Sequence, residues 1–161
     1  MHTIFYIVKE FKLITYPHKS LKTKSKKVLV FENELKQIIS QMKSVMLANK
    51  GIGLAGNQVD ILQQIIIFLS DPNNPESEIF TLINPKIVSA SKETTIDNEG
   101  CLSCPAKEIK IERAQKITVL GKNELNERQK IKAKNLLARS IQHEIDHING
   151  KLILDYEIIT K

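Results

Sequence analysis

One stretch near the C-terminus constrains this chain more than any other. Between Lys134 and Asn149 the apolar residues Leu137, Ile141, Ile145 and Ile148 recur every three or four positions, and Gly150 follows where a C-terminal cap belongs. That is the stripe of a helix with one face on a core. The same stretch reads His143-Glu144-Ile145-Asp146-His147. Four residues is slightly more than one helical turn, so both imidazoles project from one face and can grip a single metal ion. Glu144 stands about 100° around the helix, able to reach a metal-bound water without ligating the ion. Only four histidines exist in the chain, and two of them fall at ligand spacing around a glutamate, which favours a metal over a chance pair on a solvated helix.

A catalytic site of this kind wants three protein ligands and an open position. The metalloprotease extension would put its third histidine on Ile153, which binds no metal. Downstream, Asp155 and Glu157 lie in a run that reads as a strand, so the third ligand is better sought upstream, where Cys101 and Cys104 form C-x-x-C. Three readings compete there. A redox pair needs a cysteine opening a helix in a β-α-β unit, and Pro105 with its β-rich surroundings argues against that. A closed site would take both cysteines and both histidines and leave no room for water. An open site would take one thiolate and two imidazoles, and only this one gives Glu144 a use.

A third motif, Gly51-Ile52-Gly53-Leu54-Ala55-Gly56-Asn57-Gln58, formally matches a dinucleotide fingerprint. Its context is reversed, with a helix before and a strand after, whereas phosphate binding needs the opposite order. Such a loop serves better for close backbone approach to an extended ligand, with Gln58 offering an amide donor beside it.

Around these motifs, Leu35, Ile38, Ile39, Met42, Val45 and Met46 give residues 32–48 a helical face ending at Asn49-Lys50-Gly51, with the two methionines as core filler. Short apolar runs at 61–69, 80–83, 109–111, 117–120 and 152–156 read as strands. Two helices among short strands make an α+β fold. No repeat or long linker divides the 161 residues, and a chain of this length buries roughly two-thirds of its unfolded surface, so one domain spans 1–161 with a short extension over 1–12. Two cysteines exclude a disulfide scaffold, and no apolar run approaches a membrane span. The start Ile4 to Val8 lacks a basic region before it and reads as a poor signal peptide, which points to the cytoplasm. The net charge of +6 comes almost wholly from lysine, five of them in the nine residues Lys19 to Lys27. With aromatics at 5% and only three arginines, no specific nucleic-acid surface is expected, though a weak attraction to the ribosome fits the charge.

Gly51 to Gln58, Glu99-Gly100-Cys101-Leu102-Ser103 and Gln142 to His147 stand in the order in which the peptide deformylase family carries its three motifs, and together the chain resembles that family over about residues 12–156. The resemblance implies short antiparallel strands packed around a central helix that bears both histidines, plus an N-terminal helix. It implies a metal-dependent amidohydrolase that removes formyl from the N-terminal formyl-methionine of nascent polypeptides. Carried over, the metal ligands are Cys101, His143 and His147, with Fe2+ the usual ion and Zn2+, Ni2+ or Co2+ as substitutes. Glu144 is then the general base and acid. Gln58 and the backbone N–H of Leu102 steady the oxyanion, Gly53 pairs with the substrate backbone, and Ile52, Leu136 and Ser140 wall the methionine pocket. Glu99 paired with Arg113 would orient the site, with Asp146 a further support. Three positions depart from the family pattern: Gly56 replaces an alanine, Cys104 follows Leu-Ser, and Ala106-Lys107-Glu108 stands where a peptide-gripping arginine is usual. The rivals are a hydrolase of another N-acyl substrate and a structural-zinc module using both cysteines.

Overall fold

A computed structural model describes residues 9–157; Ile4 to Val8 and most of the expected extension lie outside them, as do residues 158–161. Helix α1 (Asn33–Ala48) buries Leu35, Ile39, Met42 and Met46, the face its spacing predicts. It closes at Asn49, and the left-handed residue that turns the chain away is Lys50, at φ 54°. Three short elements follow: β1 (Gly53–Ala55), a 3-10 turn (Gly56–Val59) and β2 (Ile65–Leu69). Part of the glycine motif expected to be loop is therefore strand, because β1 pairs antiparallel with β2 from Gly53 opposite Phe68 to Ala55 opposite Ile66.

Next come β3 (Ile79–Ala90), β4 (Thr94–Cys101), β5 (Cys104–Ala114), β6 (Lys116–Lys122) and β7 (Arg128–Lys134). Five strands form one antiparallel sheet in the order β1-β2-β3-β6-β7, while β4 and β5 make a separate ribbon. Every residue of β2 is buried. Successive side chains in a strand point to opposite faces. Ile65, Ile67 and Leu69 accordingly join the α1 side of the core, and Ile66 and Phe68 join the other. Each such side chain contributes about 1.5–3 kcal/mol of burial energy.

Helix α2 (Asn135–Ile148) fills that second side, with Ala138, Ile141 and Ile148 against Leu82, Ile117, Val119 and Ala133 of the sheet. It also packs on β5, so it lies between sheet and ribbon. Gly150 caps it at φ 74°, where a Cβ would meet the Lys22 carbonyl oxygen at 2.7 Å. One element contradicts the strand reading of 152–156: Leu154–Glu157 is a short helix, α3. The Asp155 carboxylate accepts the Leu152 N–H at 2.7 Å, which starts the turn and uses that side chain locally.

Candidate functional site

One side of α2, from Leu136 to Glu144, faces a cavity of about 780 Å³ walled by β1, the β4–β5 hairpin and α2 itself. His143 and His147 leave α2 on the same side. The β4–β5 ribbon turns at Leu102 and Ser103 and carries Cys101 to them. Cys101 Sγ lies 3.3 Å from His147 Nε2, and the two Nε2 atoms are 3.1 Å apart. All three donor atoms fall within 4.8 Å of one another. Tetrahedral coordination at ordinary metal–nitrogen and metal–sulfur bond lengths requires ligand separations of about 3.3–3.6 Å. One thiolate and two imidazoles gathered this closely, two of the separations near that range, are a donor set that suits a divalent transition ion. Cys104 is outside the group. The closed four-ligand arrangement, one of the sequence alternatives, is not what this geometry holds.

The charges around the ligands fix the form in which they are presented. Burial drives the His147 pKa well below its ordinary value, which keeps the ring neutral, as a metal ligand must be. The Nδ1 of His143 meets Glu99 Oε2 at 2.9 Å. A ring nitrogen held by a carboxylate leaves Nε2 with its lone pair toward the ion. Glu99 is itself clamped: Arg113 donates to both its oxygens, from Nε at 2.8 Å and Nη2 at 2.9 Å, and Arg139 Nη1 donates at 2.8 Å. Burial alone would raise the Glu99 pKa, but bonds from Arg113 and His143 outweigh it and hold the carboxyl at about 2. The expected Glu99–Arg113 pair is present, and Asp146 supports it by accepting from Arg113 Nη1 and the Tyr156 hydroxyl, each at 2.6 Å. Arg139, given no role from the sequence, completes the clamp, and no local signal marks a partner forty positions away.

Glu144 is buried, and its pKa is pushed to about 7 by that burial, with the neighbouring His143 charge opposing the rise. Its Oε2 has no hydrogen-bond partner, nor does Ser140 Oγ, which lines the same cavity. Leaving a buried polar atom unpaired costs about 1–3 kcal/mol, so such atoms gathered at one cavity mark a place built to receive a ligand. Gly53 is required here for a reason the sequence did not reveal. A Cβ at that position would stand 2.5 Å from Glu144 Oε1. The glycine makes room for the carboxylate.

Gln58 is buried, accepts the Ala55 N–H on Oε1 at 2.9 Å, and turns Nε2 toward Ser103 Oγ at 3.1 Å and Cys101 Sγ at 3.9 Å. Ser103 as its anchor escaped the sequence reading. So did Asn57, whose amide donates to the backbone oxygens of Thr23, at 3.1 Å, and His147. Leu102, Ile52, Gly53, Leu136 and Ser140 all line the cavity. Ile52 and Leu136 are each 38% exposed, apolar side chains open to whatever enters. Because β1 is the edge of the sheet, its outer side can pair with an extended chain. Lys107 and Glu108 also line this cavity, at the position where the arginine was missed.

The sequence profile described as polypeptide deformylase matches residues 10–159. A peptide deformylase of Buchnera aphidicola subsp. Cinara cedri is 41% identical over 145 residues, which cover 90% of this chain and 96% of that protein. Among solved structures, the peptide deformylase of Thermotoga maritima superimposes with a TM-score of 0.84 at 33% identity, covering 90% of this chain and 95% of its own. That of Synechococcus elongatus, solved with actinonin, gives 0.85 at 37% identity, over 92% and 82% of the two chains.

Proposed function

The chain belongs to the polypeptide deformylase family, and from that premise we propose how its residues remove the formyl group from the N-terminal formyl-methionine of nascent polypeptides. The observation that carries the proposal is the convergence of Cys101, His143 and His147 beside the buried Glu144. These three ligands hold a divalent ion, Fe2+ by preference of the family, with Zn2+, Ni2+ or Co2+ as substitutes that the same donor set accepts. When bound, the ion supplies Lewis acidity, enough to bring the pKa of water from about 15.7 to about 7. Glu144 accepts the proton of the attacking water on its unpartnered Oε2 and then delivers it to the leaving amine nitrogen. The Gln58 amide and the Leu102 N–H donate to the oxygen on which negative charge develops. The open edge of β1 at Gly53 pairs with the peptide backbone, and Ile52, Leu136 and Ser140 receive the methionine side chain. Formate and a free amino terminus leave.

The test is anaerobic purification with metal analysis, then release of amine from formyl-Met-Ala after stripping and refilling with each ion. Iron is expected to restore the highest rate and to lose it in air. Cys101→Ser is expected to lose bound metal, while Cys104→Ser retains it; the reverse result would favour the structural-zinc module. Gly53→Ala is expected to leave metal content unchanged and lower kcat by about 10²-fold, since displacing a catalytic group by about 1 Å costs that much.

We also infer a cytoplasmic enzyme that associates with the ribosome through charge. The register of β6 and β7 sets Lys116 opposite Lys134, Thr118 opposite Lys132, Leu120 opposite Lys130 and Lys122 opposite Arg128. Strand alternation puts all eight on the face turned away from Ile117, Val119 and Ala133, and Lys86 of β3 joins them beside Leu120. Among the described residues none of these cations is paired with a carboxylate. Directly opposed like charges weaken a sheet, so the ribbon is better suited to a polyanion than to stability. The double variant Lys130→Glu, Lys132→Glu is expected to lower the salt slope of ribosome cosedimentation by about two, while hydrolysis of a free formyl-peptide is unchanged.

A further inference from the structure

Cys104 takes no part in the ligand group, yet it is only 3% exposed and stands directly opposite Cys101 in the β4–β5 register, across the two-residue turn Leu102-Ser103. Both thiols are free. Directly opposed residues of an antiparallel pair share a face of the ribbon and have Cα atoms about 4.5–5.5 Å apart. A disulfide spans Cα separations of about 4.4–6.8 Å. Both side chains also belong to the same packed cluster, with Leu21, Ile111 and Leu152. Access is graded. Both residues line the cavity, but Cys101 is partly exposed there whereas Cys104 is buried. An oxidant entering the cavity therefore meets Cys101 first.

We propose that Cys101 and Cys104 form a site of reversible oxidative modification, in which Cys104 resolves the oxidised Cys101 as a disulfide. Hydrogen peroxide is the oxidant. The Cys101 sulfur attacks one peroxide oxygen, the O–O bond breaks, and the departing hydroxide leaves as water with the thiol proton or, where an ion holds the thiolate, with a proton from solvent. Cys104 sulfur then attacks the sulfenic sulfur; the S–S bond forms, the S–O bond breaks, and the hydroxide leaves as a second water with the Cys104 proton. Two thiols have lost two electrons, and one peroxide has become two waters. Without a resolving thiol, further peroxide drives a sulfenic acid to sulfinic and sulfonic acids, which ordinary thiols do not reverse. The disulfide draws Cys101 Sγ away from His147 Nε2, so the ion is released, and a dithiol reductant restores the ligand. Ion release rests on the ligand assignment above; disulfide formation does not.

The experiment treats the zinc-loaded full chain with hydrogen peroxide, follows zinc with a chromogenic chelator, counts thiols, and weighs the peptide holding residues 101–104. Wild type is expected to lose both thiols together, to lose two hydrogens in mass, to release its zinc, and to regain thiols and zinc binding with dithiothreitol. Cys104→Ser is expected to gain oxygen atoms on Cys101 that dithiothreitol does not remove. Oxygen uptake on wild-type Cys101 to the same extent as in the variant overturns the proposal, as do thiols that stay reduced. Because mass and thiol count do not depend on deformylation, an inactive chain that still forms the disulfide would fail the proposed function alone.

Discussion

Glu144→Gln is expected to leave the bound metal in place and to lower kcat for a formyl-methionyl peptide by about 10²–10⁴-fold, the range supplied by a positioned general acid–base group. Glutamine keeps the shape of the side chain and its contact over Gly53, so the cavity stays intact, but it can neither accept nor return the proton. Burial and the absence of a partner at Oε2 are what suit the carboxyl to this work. With its pKa raised to about 7, it exchanges a proton near neutral pH, where an ordinary carboxyl at 4.5 would be a weak base. Removing an ionisable group from a dry site does not destabilise the fold, so the melting temperature is expected to hold or rise. Metal content by atomic absorption and kcat by amine release are read on the same sample. Activity within tenfold of wild type would remove Glu144 from the chemistry, and loss of metal would make it a ligand instead.

What the sequence made legible follows from the physical character of each segment. Helix α2 was readable because its apolar stripe, its ligand spacing and its terminal glycine are all local, and α1 for the same reason. Strand β7 was missed: Arg128 to Lys134 alternates cations with Gln129, Ile131 and Ala133, and only Ala133 of that inner row is buried. The polar β4 was missed too, because its ribbon faces water along most of its length. The run 152–156 was misread because four or five apolar residues have no period, and only the Asp155 side chain turned back on Leu152 decides for helix. In the site, the motifs already single out Cys101, His143 and His147, whose donor atoms the fold gathers, whereas the room that Gly53 leaves for Glu144 and the hold of Arg139 on Glu99 exist only between segments far apart in the chain.

That hold has a large consequence of its own. Glu99→Gln is expected to destabilise the metal-free chain by about 3–5 kcal/mol, as removing one partner of a buried ion network does. The carboxylate is 5% exposed and faces Arg113 at 6% and Arg139 at 7%, so its neutralisation leaves two guanidinium groups in a dry interior where, among the described residues, only Asp146 remains in ion-pair contact with either. The same contacts lower the Glu99 pKa from 4.5 to about 2, which is of the same order, about 3 kcal/mol. For a domain of this length the melting temperature should drop by about 6–20 °C. The pH dependence has a definite sign. Because the folded carboxyl is depressed, its stabilisation is fully present above about pH 4.5 and is lost as pH falls through about 2. Wild type and variant melting curves should therefore lie far apart at neutral pH and converge toward pH 2. In the refilled protein the freed His143 ring should weaken metal binding by about 10–100-fold. A variant that melts with wild type at neutral pH would mean that the two arginines find other partners and that Glu99 neither secures the ribbon to α2 nor aims the histidine.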